Sequence, residues 1–179
     1  MITKILNAIT LSRILCAILI YLILFLESNY SLALFLFFVA SFSDFLDGYL
    51  ARKTDSISDL GEILDPIADK LLIVFVLIGL SINLDSFLIG FISAVIISRE
   101  IWVAALRDIN SRNDQSYKTK VTFLAKTKTA IQMLAILVYL FGLTLDNMIL
   151  LFFADIILII ALLITIQTGF QYTISTFKK

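Results

Sequence analysis

Six runs of mostly apolar residues, each roughly 20 long and separated by short polar breaks, organise this chain. At ~1.5 Å per helical residue such a run matches the ~30 Å hydrocarbon layer of a bilayer, so each predicts a membrane-spanning α-helix. The predicted spans cover residues 9–26, 32–51, 61–82, 87–107, 121–143 and 148–168. The breaks at 27–31, 83–86 and 144–147 contain no Lys or Arg. Basic residues gather instead at the amino terminus (Lys4, Arg13), after the second run (Arg52, Lys53), around the fourth break (Arg107, Arg112, Lys118, Lys120, Lys126, Lys128) and at the tail (Lys178, Lys179). By the positive-inside rule this asymmetry predicts that both termini face the cytoplasm. The expected fold is an all-α integral membrane protein with six transmembrane helices, residues 1–179 forming a single membrane domain. The first run carries Arg13 and lacks a small-residue cleavage site, which reads as a retained span and not a removable signal. No connector is long enough for a soluble catalytic domain, so any chemistry belongs to the helices.

Composition restricts that chemistry. The chain of 179 residues is 60% hydrophobic and 16% charged, with a mean hydropathy of +1.02, far from a soluble domain, in which about a quarter of residues are charged. Cys16 is the single cysteine, which excludes an internal disulfide and a cysteine-based zinc cluster. There is no histidine, the usual general base and transition-metal ligand. Acid–base and metal chemistry must therefore run on carboxylates.

Four aspartates answer that requirement: Asp44 and Asp47 in the second span, Asp65 and Asp69 in the third. Asp44, Asp47, Gly48 and Ala51 recur at three- and four-residue spacing along one helical face, and Gly61, Asp65 and Asp69 repeat every four residues along another. If the two spans form an antiparallel hairpin, Asp44 stands level with Asp69 and Asp47 with Asp65, about 6 to 15 Å inside the helix ends. A carboxylate at a span centre costs roughly 2.5 to 3.5 kcal/mol, so four approach ~10 to 14 kcal/mol as an upper bound, comparable with a whole domain's stability. Two divalent cations held through oxygen would cancel the charge and attract phosphate oxygens. Gly48, Ala51 and Gly61 leave room for a nucleotide near the backbone, and Arg52 can grip a phosphate bidentately. The physical reading is metal-assisted phosphoryl transfer facing the cytosol. Asp155, alone in the sixth span, reads as an interhelical polar contact or a water-facing group, Pro66 as a helix kink, and Phe35, Phe37 and Phe38 as lipid- or core-facing bulk.

The run SDFLDGYLARKTDSISDLGEILDPIADK closely resembles the signature of the CDP-alcohol phosphotransferases, membrane enzymes that transfer a phosphatidyl group from a CDP-linked lipid to an alcohol. Asp44, Asp47, Gly48, Ala51, Arg52, Gly61, Asp65 and Asp69 match its eight defining positions. The resemblance implies that Asp44, Asp47 and Asp65 bind two Mg²⁺ or Mn²⁺ ions, that Asp69 is the catalytic base with a metal contact, and that Gly48, Ala51, Arg52 and Gly61 contact the cytidine diphosphate. The stretches NAITLSR, SREIWVAALRD and KTKTAIQ resemble the phosphatidylglycerophosphate synthase branch of that family, which implies that Asn7 and Thr10 join the CDP-lipid site. Arg99, Arg107, Lys126 and Lys128 gather positive charge suited to an acceptor that is a phosphate dianion. Arg99, about two turns inside its span, is the least explained by topology alone.

The expected activity is transfer from CDP-diacylglycerol to glycerol 3-phosphate in the cytoplasmic (inner) membrane, in a multi-pass homodimer whose site faces the cytoplasm, with no nucleic-acid partner. Cardiolipin, phosphatidylinositol-phosphate or phosphatidylserine synthesis would keep the same aspartates and change the acceptor pocket. Outside the enzymes, intramembrane carboxylates also mark cation transporters, though no internal repeat is evident here.

Overall fold

The computed structural model describes residues 2–26, 29–54, 59–119 and 123–178, excluding the side chains of 2–6, 44–54, 59–60, 62–63, 116 and 126. Those residues form six helices: α1 (Ile2–Phe25), α2 (Tyr30–Thr54), α3 (Asp59–Asn83), α4 (Phe87–Arg112), α5 (Phe123–Thr144) and α6 (Met148–Phe177). A single 3-10 turn, Ser116–Thr119, lies between α4 and α5. No strand occurs among the described residues.

The six apolar runs thus form six helices, but among the described residues only α1, α4, α5 and α6 are long and apolar enough to cross a bilayer. In α2 the described side chains give an apolar stretch over Tyr30–Ser43. α3 carries Asp65, Asp69 and Lys70 ahead of an apolar second half. The chain is an all-helical integral membrane protein, with four such helices among the described residues.

α3 packs against α1, α4 and α5, and α5 against α6, α2 and α3, while α1 also pairs with α2 and α4 with α6. One core joins all six helices, with Ala17 and Ile20 from α1, Phe37 from α2, Leu72 and Val76 from α3, Ile92 from α4, Ile136 from α5 and Leu158 from α6. Phe35 and Phe38, on the other face of α2, point outward, as expected of lipid-facing bulk. Lipid offers no hydrophobic drive for helix association, so the closest crossings depend on small residues. A Cβ on Gly79 would lie 3.1 Å from Leu24 Cδ1 where α3 meets α1, and one on Gly142 only 2.9 Å from Leu151 Cδ2 where α5 meets α6.

The α3–α4 and α5–α6 hairpins close with the same turn. Asp85 and Asp146 take left-handed backbone angles, φ 46° and 49°, which Asp tolerates better than most residues because its short polar side chain bonds locally. Ser86 and Asn147 return their N–H groups to Ser81 and Gly142 carbonyls, at 2.9 Å each, which satisfies the ends of α3 and α5 in the Schellman manner. The same two residues cap the next helix: Ser86 accepts from the Ile89 N–H, and Asn147 from those of Ile149 and Leu150. α4 ends on a third turn of this type, with Asp114 at φ 56° and Gln115 N–H bonded to Asn110 O.

Deep in the α5–α6 pair, Tyr139 donates its hydroxyl to Asp155 Oδ1. This is the interhelical contact expected of a lone aspartate in an apolar helix. Pro66 sits inside α3, which continues through it to Asn83.

Candidate active site

Two polar groups meet at Asp69. The first is a seam between α1 and α3. Thr10 and Arg13 are one turn apart on α1, Asp65 and Asp69 one turn apart on α3, and the two pairs lie in register. Thr10 Oγ1 donates to Asp65 Oδ1 at 2.7 Å, and Arg13 Nη1 donates to Asp69 Oδ1 at 2.8 Å. The Arg13 side chain is fully buried, whereas that of Asp69 keeps 27% of its surface accessible. Burying an arginine is tolerable only with a hydrogen-bonded counter-charge, so Arg13 fixes the rotamer of Asp69 while leaving that carboxylate open on one side.

The second group lines a cavity of about 420 Å³ between α3, α4 and α5. Asp69 and Lys70 enter it from α3, Arg99, Glu100 and Arg107 from α4, and Lys128 from α5. These four cations and two carboxylates leave a net charge of +2, which favours an anion. Arg99 is held on three sides: Nη1 donates to Glu100 Oε1 at 2.9 Å, Nη2 to Thr168 Oγ1 at 3.0 Å, and its guanidinium carbon lies 5.6 Å from the Tyr172 ring centre. Arg107 approaches the same ring at 5.8 Å. A single aromatic face on α6 thus orients two guanidinium groups two turns apart on α4. Lys128 Nζ donates to Glu100, and Gln132, a turn further on, bonds Thr165 of α6.

The structure therefore brings Thr10 and Asp65 together, and separately gathers Asp69 with Arg99, Arg107 and Lys128. Asn7 stands one turn before Thr10 on α1, and Gly61 lies in the first turn of α3. The side chains of Asp44, Asp47, Ala51, Arg52 and Lys126, and the surroundings of Gly48, lie outside what the structure describes, as does the predicted levelling of the α2 and α3 carboxylates. Among the described residues no three acidic, cysteine or histidine side chains gather to hold a metal. Asp65 and Asp69 supply two carboxylates one turn apart, and such all-oxygen donors suit hard cations such as Mg²⁺ or Mn²⁺.

Sequence reasoning missed three members of this arrangement. Arg13 reads as a topology marker, although it lies one turn from Thr10 as Asp69 does from Asp65. Glu100 directly follows Arg99 in an apolar helix, a cue that the arginine has a counter-ion. Tyr172 lies beyond the last predicted span and carries no local signal.

A family model described as CDP-alcohol phosphatidyltransferase matches residues 4–167. Among similar curated proteins, one from Rickettsia bellii named CDP-diacylglycerol–glycerol-3-phosphate 3-phosphatidyltransferase is 39% identical over 93% of this chain and 91% of its own length. Proteins of the same name from Rickettsia felis, at 37% identity over 93% of this chain and 91% of that protein, and from Pseudomonas fluorescens, at 36% over 75% and 70%, are also similar. With the match spanning nearly all the helices around the Asp69 cavity, the chain belongs to the CDP-alcohol phosphatidyltransferase family.

Proposed function

We propose that this chain transfers the phosphatidyl group of CDP-diacylglycerol to glycerol 3-phosphate, forming phosphatidylglycerophosphate and CMP. The observation that carries the reading is the cavity in which Asp69, held by Arg13, faces Arg99, Arg107 and Lys128. A phosphate-bearing alcohol fits it with its dianion among the cations and its free primary hydroxyl toward Asp69. The names carried by the relatives, each specifying glycerol 3-phosphate, support that acceptor.

In the proposed reaction, the Asp69 carboxylate accepts the proton of the primary hydroxyl, and the acceptor oxygen forms a bond to the lipid-bearing phosphorus. The bond from that phosphorus to the CMP oxygen breaks, and CMP departs. Arg99, Arg107, Lys126 and Lys128 hold the acceptor phosphate, while Asn7, Thr10, Gly48, Ala51, Arg52 and Gly61 belong to the CDP-lipid site. Asp44, Asp47, Asp65 and Asp69 would hold Mg²⁺ or Mn²⁺, which when bound supplies neutralisation of the donor's pyrophosphate charge.

All six helices cross the inner membrane in this proposal, with both termini and the site on the cytoplasmic side, because the basic residues cluster at that end. Asp69 of α3 then lines a water-accessible cavity, one of the environments in which a carboxylate is tolerated within a membrane. The active form is a homodimer.

The test is CMP release from CDP-diacylglycerol by the purified protein. Release should require glycerol 3-phosphate and fall by about a hundredfold or more on chelation of divalent cations, returning when Mg²⁺ or Mn²⁺ is restored. Release with a different alcohol instead would reassign the acceptor. Cation flux into proteoliposomes without CMP release would replace the enzyme by a transporter.

Gly169 gives a second prediction. A Cβ there would lie 3.1 Å from Arg99 Cγ, so Gly169→Val should push Arg99 from Thr168. The KM for glycerol 3-phosphate is expected to rise about fivefold or more while that for CDP-diacylglycerol changes little, as measured by varying each substrate in turn.

A further inference from the structure

Three cations from three helices converge on one carboxylate in the wall of the cavity. Glu100 Oε1 accepts from Arg99 Nη1 of α4 and from Lys128 Nζ of α5, and Glu100 Oε2 lies 3.7 Å from Lys70 Nζ of α3. The Arg99 and Lys128 side chains keep only 9% and 6% of their surface accessible. Two cations so desolvated and so close repel strongly, and without an intervening anion the lysine would withdraw or lose its proton. Sharing one carboxylate oxygen, they stand side by side instead.

Donors remain after that sharing. An ammonium has three N–H groups, of which Glu100 takes one from Lys128. Arg99 Nε is buried on the Gly169 side, so the guanidinium meets the cavity as a fixed charge and Lys128 supplies the remaining N–H donors. An anion in the cavity would meet a pair of cationic groups already fixed in position, at little further entropic cost.

We infer that Glu100 is a positioning residue for the acceptor phosphate: it does not touch the phosphate but locks Arg99 and Lys128, with Lys70 alongside, into one cradle. The inference rests on the acceptor site proposed above. The geometry also admits an opposite role, in which Glu100 occupies the cations and must be displaced by the incoming phosphate. The two differ in sign, because removing the Glu100 charge weakens acceptor binding in the first case and strengthens it in the second.

The experiment measures KM for each substrate in the full-length purified enzyme carrying Glu100→Gln, Lys128→Gln or both. Glu100→Gln should raise the KM for glycerol 3-phosphate about tenfold and leave that for CDP-diacylglycerol within about twofold, a split that general loosening of the fold would not produce. The double variant should exceed Lys128→Gln by less than about threefold, because much of what Glu100 does passes through Lys128. If Glu100→Gln does not accumulate as folded protein, the comparison of Lys128→Gln with the double variant carries the test alone, since the double removes both members of the pair. An unchanged or lowered KM for glycerol 3-phosphate, a parallel rise for both substrates, or fully multiplicative effects would overturn the positioning role. A wild-type enzyme that ignores glycerol 3-phosphate would remove the functional reading and this inference together. A wild type that uses it, beside an unaffected Glu100→Gln, would remove this inference only.

Discussion

Replacing Asp69 by Asn should lower turnover by about a thousandfold, in the range attributed to a positioned general base, while CDP-lipid binding persists. Asn keeps the size of the side chain and one carbonyl oxygen for the Arg13 guanidinium, which donates to Asp69 at 2.8 Å. It loses the ability to take a proton. This chain offers no histidine to substitute, and the other carboxylate in the cavity, Glu100, is engaged by Arg99, Lys128 and Lys70. The measurement is CMP release at saturating glycerol 3-phosphate, beside binding of the CDP-lipid and the melting temperature in detergent. Near-normal turnover would remove Asp69 as the base. Loss of turnover together with loss of folding would mark it as structural.

Arg13→Met should cost both stability and activity. Its guanidinium is fully buried, and removing one partner of a buried ion pair typically costs ~3 to 5 kcal/mol because the other charge is left uncompensated. Asp69 keeps about a quarter of its side-chain surface in contact with the cavity, which places the expected loss near the lower bound, about 3 kcal/mol. Turnover should fall at least tenfold even in protein that remains folded, since Asp69 then lacks the contact that fixes its rotamer. Arg13→Lys restores charge without the planar fork and should lie between the two. Thermal unfolding and CMP release of the three proteins decide the matter; equal stability of Arg13→Met and wild type would show that the pair is dispensable.

Element positions were legible because a bilayer demands long apolar runs, and those runs are visible in the residues. Helix ends were less so. α6 continues to Phe177, nine residues past its predicted end, because hydropathy reports how far a helix stays in lipid and not how far it stays helical; Tyr172 packs with Val103 and Leu106 of α4, and Thr176 accepts from Asn110. The charge of α2 and α3 was legible as a cluster of aspartates. Asp65, Asp69, Arg99, Arg107 and Lys128 were found from residue type, spacing and resemblance. Arg13 and Glu100 were not, since a buried charge is recognised by its partner, and both partners sit on other helices: α3 for Arg13, and α3 and α5 for two of the three cations around Glu100. The aspartates at the left-handed turn positions were invisible for a different reason, because glycine is the usual residue there.

Those turns constrain how the protein can move. In each hairpin the residue that finishes one helix also begins the next, so no spare chain lies between them to absorb sliding. α3 against α4, and α5 against α6, can part only as callipers do, fixed at the joint and widening toward the tips. Lys70 and Glu100 are equidistant from the joint at Asp85, about 22 Å away along the helix axes, where a small angular change makes a large difference in width. Any opening between these helices is therefore widest at the end of the molecule where the charged groups stand.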